Sequence, residues 1–346
     1  MRLTRRDFGI LLGGTAAAHA TGAMAQSPMK MRIGQATPTV SFLPVMAARA
    51  LGSFKQQNVD LDWAAIPGGD PTTLAALDAG DIDLAAVGSE TALRAIGKGQ
   101  PFQLVYSLMS KISLELVLSN DAIARAGIKP TDPLDQRLKA MKGVTIGVSA
   151  VGGAQESAAR WLAAQGGLNP KTDIQAALAG APPAIQAALE NKRVDGFVLS
   201  PPEGALAEDA GTGRILSRIG DDFGKRTAVP YLVLVAKTPV PEAKVPAIVA
   251  TVKALQAASA QVIADPAAAS AAIQQAFFPK IKPEVMKAAI EGLKGGVADG
   301  GRFSAQAIAD LIAFIGEVGT NPGANLDPAK GENVFWTNRY VDAAKG

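Results

Sequence analysis

The chain has 346 residues, 48% of them apolar, so it is long enough for two core-bearing domains and too apolar to be a disordered chain. It contains no cysteine, which excludes a disulfide framework, a thiolate metal site, a thiol nucleophile and a lipidated cysteine. A formal net charge of +3 gives no strong basic field, so nucleic acid and anionic membrane surfaces are not expected partners.

Residues 1–26 have the composition of an export signal, with a basic start, a weakly apolar Gly/Ala/Leu stretch and a small-residue cleavage site that ends at Ala25. Residues 4–8 (Thr-Arg-Arg-Asp-Phe) fit a twin-arginine pattern, although Gly9-Ile10 departs from its usual continuation. We therefore expect export by the twin-arginine translocase, cleavage near Ala25 and a soluble periplasmic product. A chance arginine pair is the alternative for the export route.

Cleavage would also remove His19, the one histidine of the chain, and bring the net charge to about +1, because three arginines and one aspartate leave with the signal. A mature chain without histidine cannot build a Ser-His-Asp site or a His-ligated zinc or iron site. We therefore expect a binding protein without metal or cofactor rather than an enzyme.

From residue 29 onwards, short β-like runs alternate with Ala-rich helical runs, a pattern typical of a mostly parallel sheet covered by helices. Gly52, Gly80 and Gly97 fall where helices should stop. The first unit is predicted as strands 31–36, 59–66, 82–87 and 102–108 and helices 42–54, 71–79 and 93–98.

A second unit repeats this order of elements. Segment 68–83 aligns with segment 180–195 at a constant offset of about 112 positions, which pairs Asp83 with Asp195 ahead of a buried strand. We favour two related lobes, with the chance likeness of any two β-loop-α-β units as the alternative. The second unit is predicted as strands 144–149, 174–178 and 194–199 and helices 155–165 and 184–190.

The last part of the chain is predicted as strand 229–235 and a run of helices over 244–318. The first of these helices carries an apolar stripe at three- and four-residue spacing, which needs a partner surface. The first lobe is the simplest partner. We predict an α/β fold with residues 29–115 and 232–346 in lobe 1 and residues 116–231 in lobe 2. The segments near 114–118 and 231–235 would cross between the lobes as a paired hinge.

The candidate binding site follows from this topology. Ligands of parallel α/β sheets bind beyond the carboxyl ends of the strands, where loops lead into helix N-termini. The loops after the predicted strands supply hydroxyls, glycines and one carboxylate, and an aromatic side chain precedes the last strand. The candidate ligand-binding residues are Thr37, Ser41, Phe42, Gly68, Gly69, Gly88, Ser89, Glu90, Ser107, Ser149, Gly152, Gly153, Ser200, Pro201 and Tyr231.

Several of these residues also have structural explanations. Gly152-Gly153 fits a tight turn, Pro201 fits an ordinary helix opening, and Phe42 or Tyr231 fits plain core. Glu90 fits an N-terminal cap as well as a contact to an amine on the ligand. No Arg or Lys falls directly in these loops, so an anion would be held largely by backbone amides. Neither a phosphate loop nor a dinucleotide fingerprint is present, so nucleotide binding is not expected.

Four stretches carry a resemblance to a known family: residues 34–54, residues 74–85 with the pattern Leu-x-x-Gly-x-Ile-Asp, residues 142–148 and residues 194–197. Over residues 31–314 the chain resembles the ABC-importer binding proteins for nitrate, sulfonates, taurine and thiamine-precursor pyrimidines. The resemblance implies a two-lobed, type II periplasmic-binding-protein (Venus-flytrap) fold with two crossover strands at the hinge.

The same resemblance implies docking on a membrane permease that works with a cytoplasmic ATPase. Sulfonate-binding members often use an arginine, and none is well placed in this sequence. By position, the resemblance implies ligand contacts at Ser41, Phe42, Gly69, Ser89, Ser149, Gly153, Ser200 and Pro201.

The sequence thus predicts the periplasmic solute-binding component of an ABC importer, a monomer that captures a sulfonate-, nitrate- or pyrimidine-like solute between its lobes. Two alternatives stay open. One is a periplasmic sensor that presents the bound solute to a receptor. The other is an enzyme of the same fold that acts on a thiamine-precursor or chorismate-like substrate.

Overall fold

The computed structural model describes residues 27–36, 39–149, 153–319 and 326–345, and the predicted export signal lies outside them. Within these ranges the strands form two five-stranded sheets. The first sheet has the order β2-β1-β3-β10-β4, in which β1 is parallel to β2 and β3, and β10 is antiparallel to both of its neighbours. Its strands are β1 (Met29–Gln35), β2 (Val59–Ala65), β3 (Leu84–Gly88), β4 (Phe102–Met109) and β10 (Leu232–Lys237).

The second sheet repeats this arrangement, with the order β7-β6-β8-β5-β9. Here β6 is parallel to β7 and β8, and β5 is antiparallel to β8 and β9. In each sheet the antiparallel strand is the one that follows a crossing from the other sheet. Its strands are β5 (Glu115–Ser119), β6 (Val144–Val148), β7 (Ile174–Leu178), β8 (Gly196–Leu199) and β9 (Gly213–Arg218).

Helices pack on both sheets. Those that follow strands of the first sheet are α1 (Leu43–Ala50), α2 (Ser53–Gln56), α3 (Asp70–Ala79), α4 (Ser89–Gly97), α11 (Val245–Ala264), α12 (Pro266–Phe277), α13 (Pro283–Lys294), α14 (Ala305–Glu317) and α15 (Arg339–Ala343). Those that follow strands of the second are α5 (Asn120–Ala126), α6 (Leu134–Lys139), α7 (Ala154–Gln165), α8 (Pro182–Glu190), α9 (Glu203–Asp209) and α10 (Ile219–Asp222).

The internal likeness between the two units extends to single hydrogen bonds. In the first sheet, Asp83 N donates to Arg32 O at 2.8 Å, and Arg32 N donates back to Asp83 Oδ2 at 2.9 Å. In the second sheet, Asp195 N donates to Thr145 O at 2.8 Å, and Thr145 N donates back to Asp195 Oδ2 at 2.9 Å. The aspartate before each central strand therefore fixes that strand against the first strand of its unit in the same way.

Several boundaries differ from the predictions, and predicted helix 42–54 is divided into α1 and α2 at Gly52, which has a left-handed φ of 74°. Helix α4 begins at Ser89 rather than at residue 93, because Ser89 and Glu90 form its first turn, where an acidic side chain is favourable. Gly97 lies inside this helix, and the turn after it is made by Gly99 with a left-handed φ of 88°. Strand β4 continues through Met109, because β10 pairs with it over its whole length.

The buried apolar residues of the described chain form three clusters. The α11 stripe is confirmed as core, since Val252, Leu255 and Val262 are at most 1% exposed and pack with α1 and the first sheet. In the part of the chain that the structure describes, Glu242–Ala264 is the one helical stretch long and apolar enough to cross a membrane, and 56% of its apolar 18-residue window is buried inside the protein. It therefore has the burial of a core helix.

Two connections join the sheets, and they run side by side. Tyr231 N donates to Met109 O at 2.7 Å, Ile112 N to Thr227 O at 3.1 Å, and Ile219 N to Leu114 O at 3.0 Å. The crossing segments therefore lie just before β5 and just before β10. These two sheets and two crossings are the basis on which we propose the lobes as 29–115 with 232–346 (lobe 1) and 116–231 (lobe 2).

Candidate functional site

The loops at the carboxyl ends of the parallel strands meet between the two sheets. Thr39 Oγ1 and Ser41 Oγ, in the loop after β1, donate to Pro201 O, in the loop after β8, over 3.4 and 3.5 Å. The Tyr231 side chain, on the second crossing, lies near enough to Ser200 for the Ser200 side chain to lower the pKa of its phenol. Polar groups that are far apart in sequence therefore meet between the two sheets.

Asp70 is the acidic group that the sequence candidates missed. It opens α3 after the turn Gly68-Gly69, and its Oδ2 accepts a 2.9 Å hydrogen bond from Gly88 N at the end of β3. Burial raises the pKa of Asp70 to about 6; the Gly88 N–H lowers it and the negative charge of Glu90 raises it. The signal in the sequence was its position in the loop after β2, directly before a helix.

Tyr231 lies within electrostatic reach of both carboxylates. Burial raises the pKa of the Tyr231 phenol, the negative charges of Asp70 and Glu90 raise it further, and the nearby Ser200 side chain lowers it. Its backbone carbonyl accepts a hydrogen bond from Ser89 N at 2.9 Å. The structure therefore brings together Ser41, Gly88, Ser89, Glu90, Ser200, Pro201 and Tyr231 of the sequence candidates, with Asp70 added.

Glu90 is held only loosely by its own helix. Its side chain is 25% exposed and lies 3.9 Å from Arg94 Nη1, one turn further along α4. A contact of this length with a partly exposed arginine contributes little. Glu203, by contrast, is bound within its own lobe, because Gln186 Nε2 donates to its backbone oxygen at 2.7 Å and to its Oε2 at 3.1 Å.

The glycine and serine candidates of the remaining loops serve different roles. Gly68 and Gly69 have left-handed φ values of 111° and 86°, and their carbonyl oxygens accept from the hydroxyls of Thr72 and Thr73, so this exposed turn starts α3. Ser149 N donates to Gln155 Oε1 at 2.8 Å, and Ser149 Oγ is buried without a hydrogen-bond partner among the described residues. Gly153 directly precedes α7.

One candidate is corrected. Ser107 lies inside β4 rather than in a loop; its side chain is fully buried and donates to Met109 O of its own strand. Phe42 is 7% exposed and packs into the core of the first sheet with α1, as its structural explanation expects. Thr37 and Gly152 lie outside the described residues.

A second buried carboxylate lies where β5 leaves the first crossing. Glu115 pairs with Arg218 at 3.0 Å, and its side chain is 6% exposed. Burial raises the pKa of Glu115 to about 7, although Arg218 lowers it. In the described part of the chain, no group of three or more His, Asp or Glu side chains is arranged to hold a metal ion.

Because its pKa is raised in the folded protein, Glu115 should make the free energy of unfolding fall as pH rises. A folded-state pKa above the unfolded value means that the folded protein binds more protons, so the stability from Glu115 is complete below about pH 4.5 and is lost as pH passes 7. We expect Glu115→Gln to remove about 2 kcal/mol of the loss between pH 5 and pH 8, measured by urea unfolding. Glu242→Gln, at a side chain 82% exposed, is the control. An unchanged pH slope in Glu115→Gln would refute this assignment.

Comparisons with known proteins agree with this architecture. The sequence pattern of the NMT1-like family matches residues 24–276. YtlA of Bacillus subtilis (strain 168), named as a binding protein, is 26% identical over 208 residues, which are 60% of this chain and 58% of YtlA. The chain thus spans a little over half of that relative's length.

Solved structures match over more of the chain. The ligand-binding component of an ABC-type import system from Staphylococcus aureus, solved with zinc bound, has a TM-score of 0.68 at 18% identity and covers 91% of this chain and 99% of its own. The periplasmic nitrate-binding protein NrtA from Synechocystis PCC 6803 has a TM-score of 0.69 at 15% identity and covers 92% and 88%. The two-lobed periplasmic-binding-protein fold is therefore confirmed. Since the family pattern covers more than half of the sequence, the protein belongs to the NMT1-like family.

Proposed function

We propose that this protein is the solute-binding component of an ABC importer and that it captures a small molecule between its two lobes. The observation that carries the proposal is the pair of hydrogen bonds between the two sheets, from Thr39 and from Ser41 to Pro201 O. Groups that meet across a cleft can hold a ligand from both sides. Such a ligand shifts the protein towards the closed form, and the size of the shift is set by how much more tightly the ligand binds the closed form than the open form.

The partners follow from the same proposal. Relatives that are components of ABC-type import systems support docking on a membrane permease with a cytoplasmic ATPase. A periplasmic location fits the periplasmic nitrate-binding relative, and the twin-arginine pattern at residues 5–6 supports export by the twin-arginine translocase with cleavage near Ala25. We propose binding without catalysis, as a monomer.

Solute binding should be visible as thermal stabilisation. After refolding to remove any ligand that was carried over, the protein should gain about 2.7 kcal/mol when its solute is present at 100 times the dissociation constant. The measurement is the melting temperature against nitrate, alkanesulfonates, taurine, aromatic carboxylates, amines and hydroxymethylpyrimidine. Folded protein that no compound stabilises would count against solute capture.

A matched pair of tyrosine variants assigns the binding to the cleft. Tyr231→Phe removes a hydroxyl that lies beside Ser200 of the opposite wall, and a hydrogen bond from such a hydroxyl to a ligand contributes about 1 kcal/mol. We expect the affinity to fall about fivefold. Tyr340→Phe, at a tyrosine 2% exposed on α15, should bind like the unaltered protein. Equal affinity in both variants would place binding elsewhere.

A further inference from the structure

The cleft has an unusual charge. Two carboxylates lie on its first-lobe wall. Asp70 and Glu90 open neighbouring helices, and Asp70 Oδ2 accepts a hydrogen bond from Gly88 N, two residues before Glu90. Ser89 N donates to Tyr231 O at 2.9 Å, and both carboxylates raise the pKa of the Tyr231 phenol. The group that bonds Asp70 is the neutral Gly88 N–H, and no basic side chain is among the groups that act on its charge.

The basic side chains near the cleft are engaged elsewhere. Lys111 forms an ion pair with Asp221, Arg160 pairs with Glu156 on its own helix at 2.6 Å, and Arg218 pairs with Glu115. Arg94 remains, 3.9 Å from Glu90 and 40% exposed. Two partly buried carboxylates, of which only Glu90 has a cation nearby in a long ion pair with Arg94, repel each other and would repel an anion.

The opposite wall adds hydrogen-bonding groups without a positive charge. Ser200 lies beside Tyr231, the Pro201 carbonyl oxygen faces Thr39 and Ser41, and Ser149 has a buried hydroxyl without a partner among the described residues. A carbonyl oxygen accepts hydrogen bonds, and a hydroxyl can accept them as well as donate them. These groups can therefore accept hydrogen bonds from a ligand without adding a positive charge to the wall.

From these observations we propose that the cleft selects a solute that presents a positively charged, hydrogen-bond-donating nitrogen group, such as an amine or amidine, to Asp70 and Glu90. This rests on the proposed capture function and specifies its substrate class. A cation between the carboxylates replaces their repulsion with charge-assisted hydrogen bonds, and the gain is available only when the ligand is bound. An oxoanion such as nitrate would meet two carboxylates and a carbonyl oxygen instead.

One test needs no knowledge of the ligand. Asp70→Asn keeps an oxygen to accept the Gly88 N–H but removes the charge, and Glu90→Gln removes the second charge. In refolded, ligand-free protein at pH 8, Asp70→Asn should melt at a higher temperature than the unaltered protein, while the exposed Glu242→Gln should not. A lower melting temperature in Asp70→Asn would mean that a cation of the protein already pairs with the carboxylate, and the proposal would be wrong.

The second test identifies the charge of the ligand. Protein purified without refolding is denatured, and the released small molecule is identified by mass spectrometry. In parallel, benzylamine and benzamidine are compared with benzoate, ethanesulfonate and nitrate in thermal shifts on refolded protein. We expect a cationic solute, with affinity reduced at least tenfold in Asp70→Asn.

The possible failures are distinguishable. An anionic solute whose affinity rises in Asp70→Asn would still occupy the cleft, so capture would stand and the cationic selectivity would be refuted. An anionic solute unaffected by Asp70→Asn would also refute it. Protein that releases no small molecule and is stabilised by neither class of probe would contradict the capture function itself.

Discussion

Trp161→Ala should lower the free energy of unfolding by about 4 kcal/mol, within the range for removing a large buried aromatic side chain. Trp161 lies on α7 and is 4% exposed. Its ring centroid is 4.5 Å from that of Phe223 and 5.4 Å from that of Phe314 on α14, and the Arg226 guanidinium lies 5.6 Å from it. One substitution therefore removes contacts in the second lobe and contacts with the returning C-terminal helices.

Urea unfolding of Trp161→Ala, Phe314→Ala and the double variant separates these contributions. If the two rings pack as described, the double variant should lose less than the sum of the single losses, with a coupling of about 1 kcal/mol. A loss below about 1 kcal/mol for Trp161→Ala would show that α7 does not bury this ring in solution.

Gly196→Ala should cost about 3 kcal/mol, because the second sheet has no room for a methyl group at the start of β8. A Cβ at Gly196 would lie 2.3 Å from Val117 O and 2.5 Å from Leu118 Cδ2 of the neighbouring strand β5. The first of these is a backbone atom in the ladder between β5 and β8, so it cannot move away without breaking strand pairing.

The same change at Gly316 is the matched control. Gly316 lies within α14, and a Cβ there would have no heavy atom within 4 Å. Alanine is favoured over glycine in a helix by up to about 1 kcal/mol, so Gly316→Ala should be neutral or stabilising. Unfolding midpoints that shift equally in the two variants would contradict the packing around β8.

The order of strands and helices could be predicted from the sequence because it depends on local periodicity. Alternating apolar runs give the strands, and the repeat of segment 68–83 at 180–195 gives two related sheets, down to the paired bonds of Asp83 and Asp195. Short elements without strong periodicity were missed, among them α5, α6, α9 and β9. These short elements form because they pack on a sheet built from distant segments, and the local sequence pattern carries no information about that packing.

The candidate site was only partly predictable for a related reason. The loops after the parallel strands are the predicted location, and Ser41 and Pro201 of two different sheets meet there. The significance of Asp70 depends on Gly88 and Glu90, which come from other elements and are recognised only when the sheet brings them together. Ser107 shows the opposite error, because it lies within predicted strand 102–108 and therefore cannot supply a loop hydroxyl.

The side-by-side crossings also determine how the protein can be divided. Strands β4 and β10 are antiparallel neighbours, and Tyr231 N bonds Met109 O at 2.7 Å where the chain returns. In topological terms, the second lobe is an insertion into the turn of a β-hairpin. The adjacent ends of the insertion make this junction the natural point for excising or exchanging the second lobe, because a short turn could then join β4 directly to β10.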